Sequence, residues 1–159
     1  MDLLFGSSSG DGLLPWALVM VSVQMLRRAR HRLERLCGQV PEHLTLVHGD
    51  MFDLPLKTSV FATVSCPAVI HAFEDPAQPA RQLIRVLAPG GNLFLTSLVT
   101  VAGRGFANRY LRQMHRGGEI SAQRSATDVA EQLRAVDGLV NLDHTAIGSM
   151  GYFTAEARS

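Results

Sequence analysis

Three apolar, β-rich runs set among helical patterns constrain this chain most: Leu44–His48, Val60–Cys66 and Leu93–Val99. Around them, apolar residues recur three and four positions apart, as one face of a helix requires. Met25, Leu26, Ala29, Leu33 and Leu36 form such a stripe over 24–37, with arginines on the other face. Leu83, Ile84 and Leu87 form a second over 78–87, and a third helix is predicted over 126–136 with Ser125 or Thr127 as its cap. Strands alternating with helices predict an α/β layered sheet. Leu93–Val99 reads as a strand buried on both faces.

The remaining signals set boundaries. Gly38 stops the first helix and Pro41 forbids its continuation. Pro55 marks a turn, Pro89-Gly90-Gly91 a sharp one, and 139–145 and 150–154 read as two final strands. At the start, Leu3-Leu4-Phe5 reads as a short strand entering the small-residue turn Gly6 to Gly12. No repeat or low-complexity linker interrupts the pattern, and 159 residues suit one domain over 1–159.

Several partner classes find no support. Leu13–Val23 is apolar for only about eleven residues, against the roughly twenty that a spanning helix needs, so no membrane partner is expected. The start lacks the basic region of a signal peptide, and Cys37 and Cys66 have neither disulfide-framework nor metal-ligand spacing. A reducing, cytoplasmic setting and no bound metal follow as expectations. A net charge of +1 argues against a nucleic-acid partner. Arginines nonetheless gather at 27–35 and 104–116, where solvated helix faces are the plainest reading.

Three segments, in order, resemble the class I S-adenosylmethionine-dependent methyltransferases, particularly those acting on small molecules. They are Leu4 to Gly12; Gly49-Asp50-Met51-Phe52-Asp53-Leu54-Pro55 followed by Phe61 to Pro76; and Arg85-Val86-Leu87-Ala88-Pro89-Gly90-Gly91-Asn92-Leu93-Phe94-Leu95. The resemblance implies a Rossmann-like, doubly wound, mostly parallel sheet with an antiparallel C-terminal strand and helices on both faces. It implies S-adenosylmethionine as cofactor, bound beyond the carboxyl ends of the strands.

The resemblance also assigns residues. Gly10 and Gly12 match two of the family's glycines, Ser8 stands at the first, and Gly6 replaces the aspartate usual before that loop. Asp50 and the Met51 amide match the positions that hold adenine; a turn-capping aspartate is the alternative. Ser65 and Cys66 end the fourth strand where methionine and substrate would meet, and Cys66 could equally be a buried thiol. His71 falls where relatives often carry a histidine. It could serve as a general base, or hold a loop together by hydrogen bonds. Segment 103–118 matches the family's substrate cover, with Phe106, Tyr110 and Met114 at four-residue spacing and Arg109 beside them. That stripe could instead pack on the core, and its basic neighbours favour an anionic small-molecule substrate.

Two departures stand out. Met20 occupies the position where relatives place a ribose-binding acid, and methionine cannot accept two hydroxyl hydrogen bonds. Only eleven residues separate Gly12 from Gln24, too few for both a helix and a strand.

The leading expectation is therefore methyl transfer from S-adenosylmethionine to an O, N or C nucleophile of a small molecule. The alternative is an inactive methyltransferase-like scaffold. A nicotinamide-linked reductase fits poorly, because Pro15 falls where its third glycine belongs, and no phosphate-binding glycine-lysine element exists. Short edge elements would favour a homodimer.

Overall fold

The computed structural model describes residues 3–6, 16–103 and 105–159. Seven strands form one sheet in the order β3-β2-β1-β4-β5-β7-β6. In chain order they are β1 (Leu3–Gly6), β2 (Trp16–Met20), β3 (Leu44–His48), β4 (Phe61–Cys66), β5 (Leu87–Leu98), β6 (Leu139–Ile147) and β7 (Met150–Ala157). The helices are α1 (Val23–Cys37), α2 (Ala77–Val86), α3 (Gly105–Arg116) and α4 (Ala126–Arg134). Five of the seven strands point the same way: β2 pairs parallel with β3, and β4 with β5, while β7 runs antiparallel to both β5 and β6.

The first strand departs from the expected plan. β1 runs antiparallel to both of its neighbours, β2 and β4. Its end is paired with the start of β2, Gly6 opposite Trp16. Nine residues, 7–15, join these strands. A parallel connection needs about a dozen or more residues, usually with a helix, whereas an antiparallel pair can be joined by a short loop. Chain length thus dictates the reversal.

Alternation along the strands divides the sheet into two faces. On one, Val64, Cys66, Leu93, Leu95, Phe153 and Ala155 are buried with Ala80 and Leu83 of α2 and Val129, Ala130 and Leu133 of α4. Each buried Leu or Val contributes about 1.5–3 kcal/mol relative to exposure, so this face supplies most of the stability. On the other, Leu18, Met20 and Leu44 meet Ala29, Leu33 and Leu36 of α1, and no residue of α1 is fully buried. That face stays open over β5 and β7, where Phe94 is 45% and Tyr152 41% exposed. β5 is therefore buried on one face, not on both as its composition suggested.

Local signals explain the boundaries. Ser22 caps α1 by accepting from the Met25 amide, and Gly38 ends it at φ +79°. α4 opens with a reciprocal pair between Ser125 and Asp128, whose bonds to Ser125 hold the Asp128 carboxyl below its usual range. The sharp turn expected at Pro89-Gly90-Gly91 is absorbed into β5 as an irregularity, the pairing jumping from Phe61–Leu87 to Thr63–Asn92. A Cβ on Gly91 would lie 2.8 Å from the Ala88 carbonyl oxygen and 3.1 Å from that of Ala62. Gly91→Ala should therefore cost about 1–3 kcal/mol of unfolding free energy in denaturant titration, because backbone cannot yield as a side chain does.

Candidate cofactor site

β2, β3, β4 and β5 all point their carboxyl ends to one edge of the sheet, where ligands of open α/β sheets bind. Asp50 and Met51 follow β3. The Gly49 amide donates to the Met20 carbonyl across 3.2 Å, tying the ends of β2 and β3 together. A side chain at Gly49 would meet Pro55 at 2.6 Å, so the tight passage requires glycine. Asp50 is exposed, and its Oδ1 accepts the Phe52 amide at 3.0 Å, a turn-capping bond. Its second carboxylate oxygen has no partner among the described residues. Met51 is buried, and its N–H makes no hydrogen bond among the described residues. One carboxylate oxygen and one adjacent amide are thus free at this turn, the donor–acceptor pair that an aminopurine edge takes.

Arg85 holds that turn in place. Its guanidinium donates to the Leu54 and Leu56 carbonyls, each at 2.8 Å, and to Thr58 Oγ1 at 3.3 Å, while Nε donates to Gln82 at 3.0 Å. The first residue of the sequence's third motif is therefore a structural clamp between α2 and the 54–58 loop. Resemblance flagged the motif, but only the fold supplies the clamp's partners, about thirty residues upstream in sequence.

The end of β4 behaves differently. Cys66 is fully buried, and burial pushes its thiol up to about 12, so it carries no thiolate near neutrality. Ser65 lies on the opposite face, half-buried, beside Phe94 of β5 and paired with Leu4.

His71 sits in the short helical turn Ile70–Ala72 just past β4. Its Nδ1 accepts the Leu98 amide at 3.3 Å, and burial lowers its pKa from the ordinary value. The neutral ring with an accepting Nδ1 must carry its proton on Nε2. His71 can thus donate from Nε2, but has no free lone pair there for proton abstraction. Its carbonyl also accepts from the amide and hydroxyl of Ser121, joining the loop after α3 to this edge.

Gly6 is separated from this group. Gly6 pairs with Thr63, three residues before Cys66, which puts it about 10 Å from the carboxyl-end edge. It also sits opposite Trp16 at the start of β2, so the C-terminal end of β1 lies toward the far edge. Ser8, Gly10 and Gly12 lie outside the described residues. Met20 ends β2 as expected and is buried. Beside it a recess of about 240 Å³ is lined by Met25, Arg28, Ala29 and Arg32, with no acid to meet ribose hydroxyls.

α3 follows β5 at the same edge. Asn108 pins it, accepting the Val101 amide at 3.1 Å and donating to the Val101 carbonyl at 2.9 Å. Leu111 is buried and His115 contacts the Ile120 carbonyl at 3.0 Å. Of the expected substrate-pocket residues, only Met114 is half-buried. Phe106 is 88% and Tyr110 59% exposed, and Arg109 is exposed, so these three stand on the solvent side and do not line a pocket with Met114.

The comparisons agree with this sheet. A methyltransferase domain profile matches residues 6–95, more than half of the chain. The chain belongs to the methyltransferase domain family. S-adenosylmethionine is the cofactor of that family, and the Asp50–Met51 turn fits its adenine end. The described residues do not reproduce a ribose-binding acid at Met20 or a glycine cradle beside it. A solved protein of Bacillus halodurans C-125, described as a methyltransferase, superposes with TM-score 0.69 at 16% identity, covering 89% of this chain and 82% of its own. Geranyl diphosphate methyltransferase in complex with S-adenosylmethionine gives 0.65 at 14%, over 88% and 66%. The [4+2]-cyclase SpnF gives 0.68 at 16%, over 88% and 64%, so the fold alone does not fix the reaction. Among curated protein sequences none matches.

Two outcomes follow from this geometry. Arg85→Ala should destabilise by about 2–3 kcal/mol in urea unfolding, with faster amide exchange over 54–58, because two carbonyls lose a charged donor. His71 is held neutral by the fold, its pKa below the ordinary 6.5. Its contribution to stability is therefore complete above the unfolded value and lost as pH falls below it, where the unfolded chain binds a proton first. His71→Gln should flatten that part of the stability–pH curve measured by chemical denaturation.

Proposed function

We propose that residues 1–159 act as one domain transferring a methyl group from S-adenosylmethionine to an O, N or C nucleophile of a small, anionic molecule. The observation that carries this reading is the free carboxylate oxygen of Asp50 next to the free N–H of Met51, at the carboxyl-end edge of a methyltransferase sheet. When bound, S-adenosylmethionine supplies an already activated methyl group, so the protein's work is alignment and exclusion of water. Asp50 accepts from the exocyclic amine, and the Met51 amide donates to a ring nitrogen. Ser65 and the buried Cys66 shape the floor near the methyl group. His71, with its proton on Nε2, donates to the acceptor and orients it, a role that replaces the general base expected from sequence. Residues 103–118 cover the acceptor through the half-buried Met114, while Phe106, Arg109 and Tyr110 face solvent. The arginines of α3 favour an anionic acceptor.

Binding through Gly6, Ser8, Gly10 and Gly12 would require 7–15 to return to the carboxyl-end edge. The reversed β1 favours a second reading, a methyltransferase-like scaffold without catalysis. The open edges of β3 and β6 would let either form pair as a homodimer.

Isothermal titration with S-adenosylhomocysteine, with NADPH as control, separates the two. Micromolar binding of the former alone is expected, weakened about tenfold in Asp50→Ala through loss of a charge-assisted bond. Folded protein that gives no heat with either ligand would leave the scaffold reading.

A further inference from the structure

We infer that α3, the helix of the segment read as substrate cover, docks the protein on an anionic lipid surface. The inference deepens the reading of 103–118 as the substrate cover and rests on it.

The helix is held to the body by one side. At 100° per residue, Asn108, Leu111 and His115 fall within about 60° of one another, and Phe106 lies about 170° from their centre. The most exposed large apolar side chain of the described residues, 88% accessible, therefore points straight away from the protein. Tyr110, 59% exposed, lies one turn further along. Flanking this ridge, Arg109, Arg112 and Arg116 surround a surface opening of about 380 Å³ with Gln113. α3 contains no acidic residue, and its arginines form no ion pair among the described residues.

An outward aromatic next to unpaired guanidinium groups matches the two layers of a bilayer interface. There the rings enter the acyl boundary and the cations meet headgroup phosphates. The other arginine-rich helix, α1, has no Phe, Tyr or Trp, and its most exposed apolar side chain, Leu36 at 68%, lines the recess against the sheet with Ala29 and Leu33. No helix of the described residues is long and apolar enough to cross a membrane, so the contact would be peripheral.

Flotation of the full chain with vesicles of phosphatidylcholine alone, or mixed with phosphatidylglycerol, tests the inference. Binding to the mixed vesicles, falling as salt rises, is expected. Arg109→Glu/Arg112→Glu/Arg116→Glu should reduce it about a hundredfold, at about fivefold per arginine. Phe106→Asp should reduce it about tenfold, and Phe106→Ala, which keeps the local charge, nearly as much. Circular dichroism and unfolding midpoints of these surface variants should match the parent. Absence of binding to either vesicle overturns the inference, as does an equal or larger loss in Arg28→Glu/Arg32→Glu/Arg35→Glu on α1. So does binding of a single-stranded oligonucleotide in place of vesicles, or a dimer in solution that Phe106→Ala dissolves. Titration with S-adenosylhomocysteine needs no vesicles, so failure of cofactor binding and failure of docking are read separately.

Discussion

Nine residues between Gly6 and Trp16 decide how the centre of the sheet is built. A right-handed crossover with its helix does not fit in that length, so the first two strands form an antiparallel pair. The reversed β1 still completes the order 3-2-1-4-5-7-6 by bonding β2 on one side and β4 on the other. The methyltransferase sheet thus survives as a hydrogen-bonded surface while the chain direction at its centre is inverted. The consequence is local and chemical: the C-terminal end of β1 lies toward the far edge from Asp50, Ser65 and His71.

The same shortage of chain leaves its mark on the packing. One face of the sheet is closed by α2 and α4 over Val64, Leu93, Leu95 and Phe153. Among the described residues, the other carries α1, which buries none of its residues completely and leaves Phe94 and Tyr152 in contact with solvent. Stability is therefore concentrated on the α2–α4 side. The loops at the carboxyl-end edge are fixed from that side too, through Arg85 to the 54–58 loop and through Arg124 to the carbonyls of Phe73 and Glu74. Guanidinium groups suit this task because each can satisfy two carbonyls from one rigid fork.

Much of the architecture was legible in the residues. The strands β3, β4, β6 and β7, the helices α1, α2 and α4 and the stop at Gly38 followed from periodicity and cap chemistry, signals that act within a few residues. Asp50 and Met51 were singled out by the family resemblance, and the fold leaves one carboxylate oxygen and one amide without a partner at their turn among the described residues. The outward set of Phe106, Tyr110 and Arg109 was not legible. Four-residue spacing marks a stripe but not which way it faces, and here Asn108, Leu111 and His115 set the rotation of the helix. His71 is a similar case: its position was visible, while the proton on its Nε2 depends on the Leu98 amide, twenty-seven residues away.

The sequence by itself determined the α/β class, the methyltransferase kinship and the composition of each strand end, because those rest on short-range patterns and on motif spacing. Tertiary structure alone decided the direction of β1, the neutral donor state of His71, the inert burial of Cys66 and the outward face of α3. Each of these depends on which distant backbone group or surface a residue meets, and that is fixed only when the strands have paired and the helices have docked.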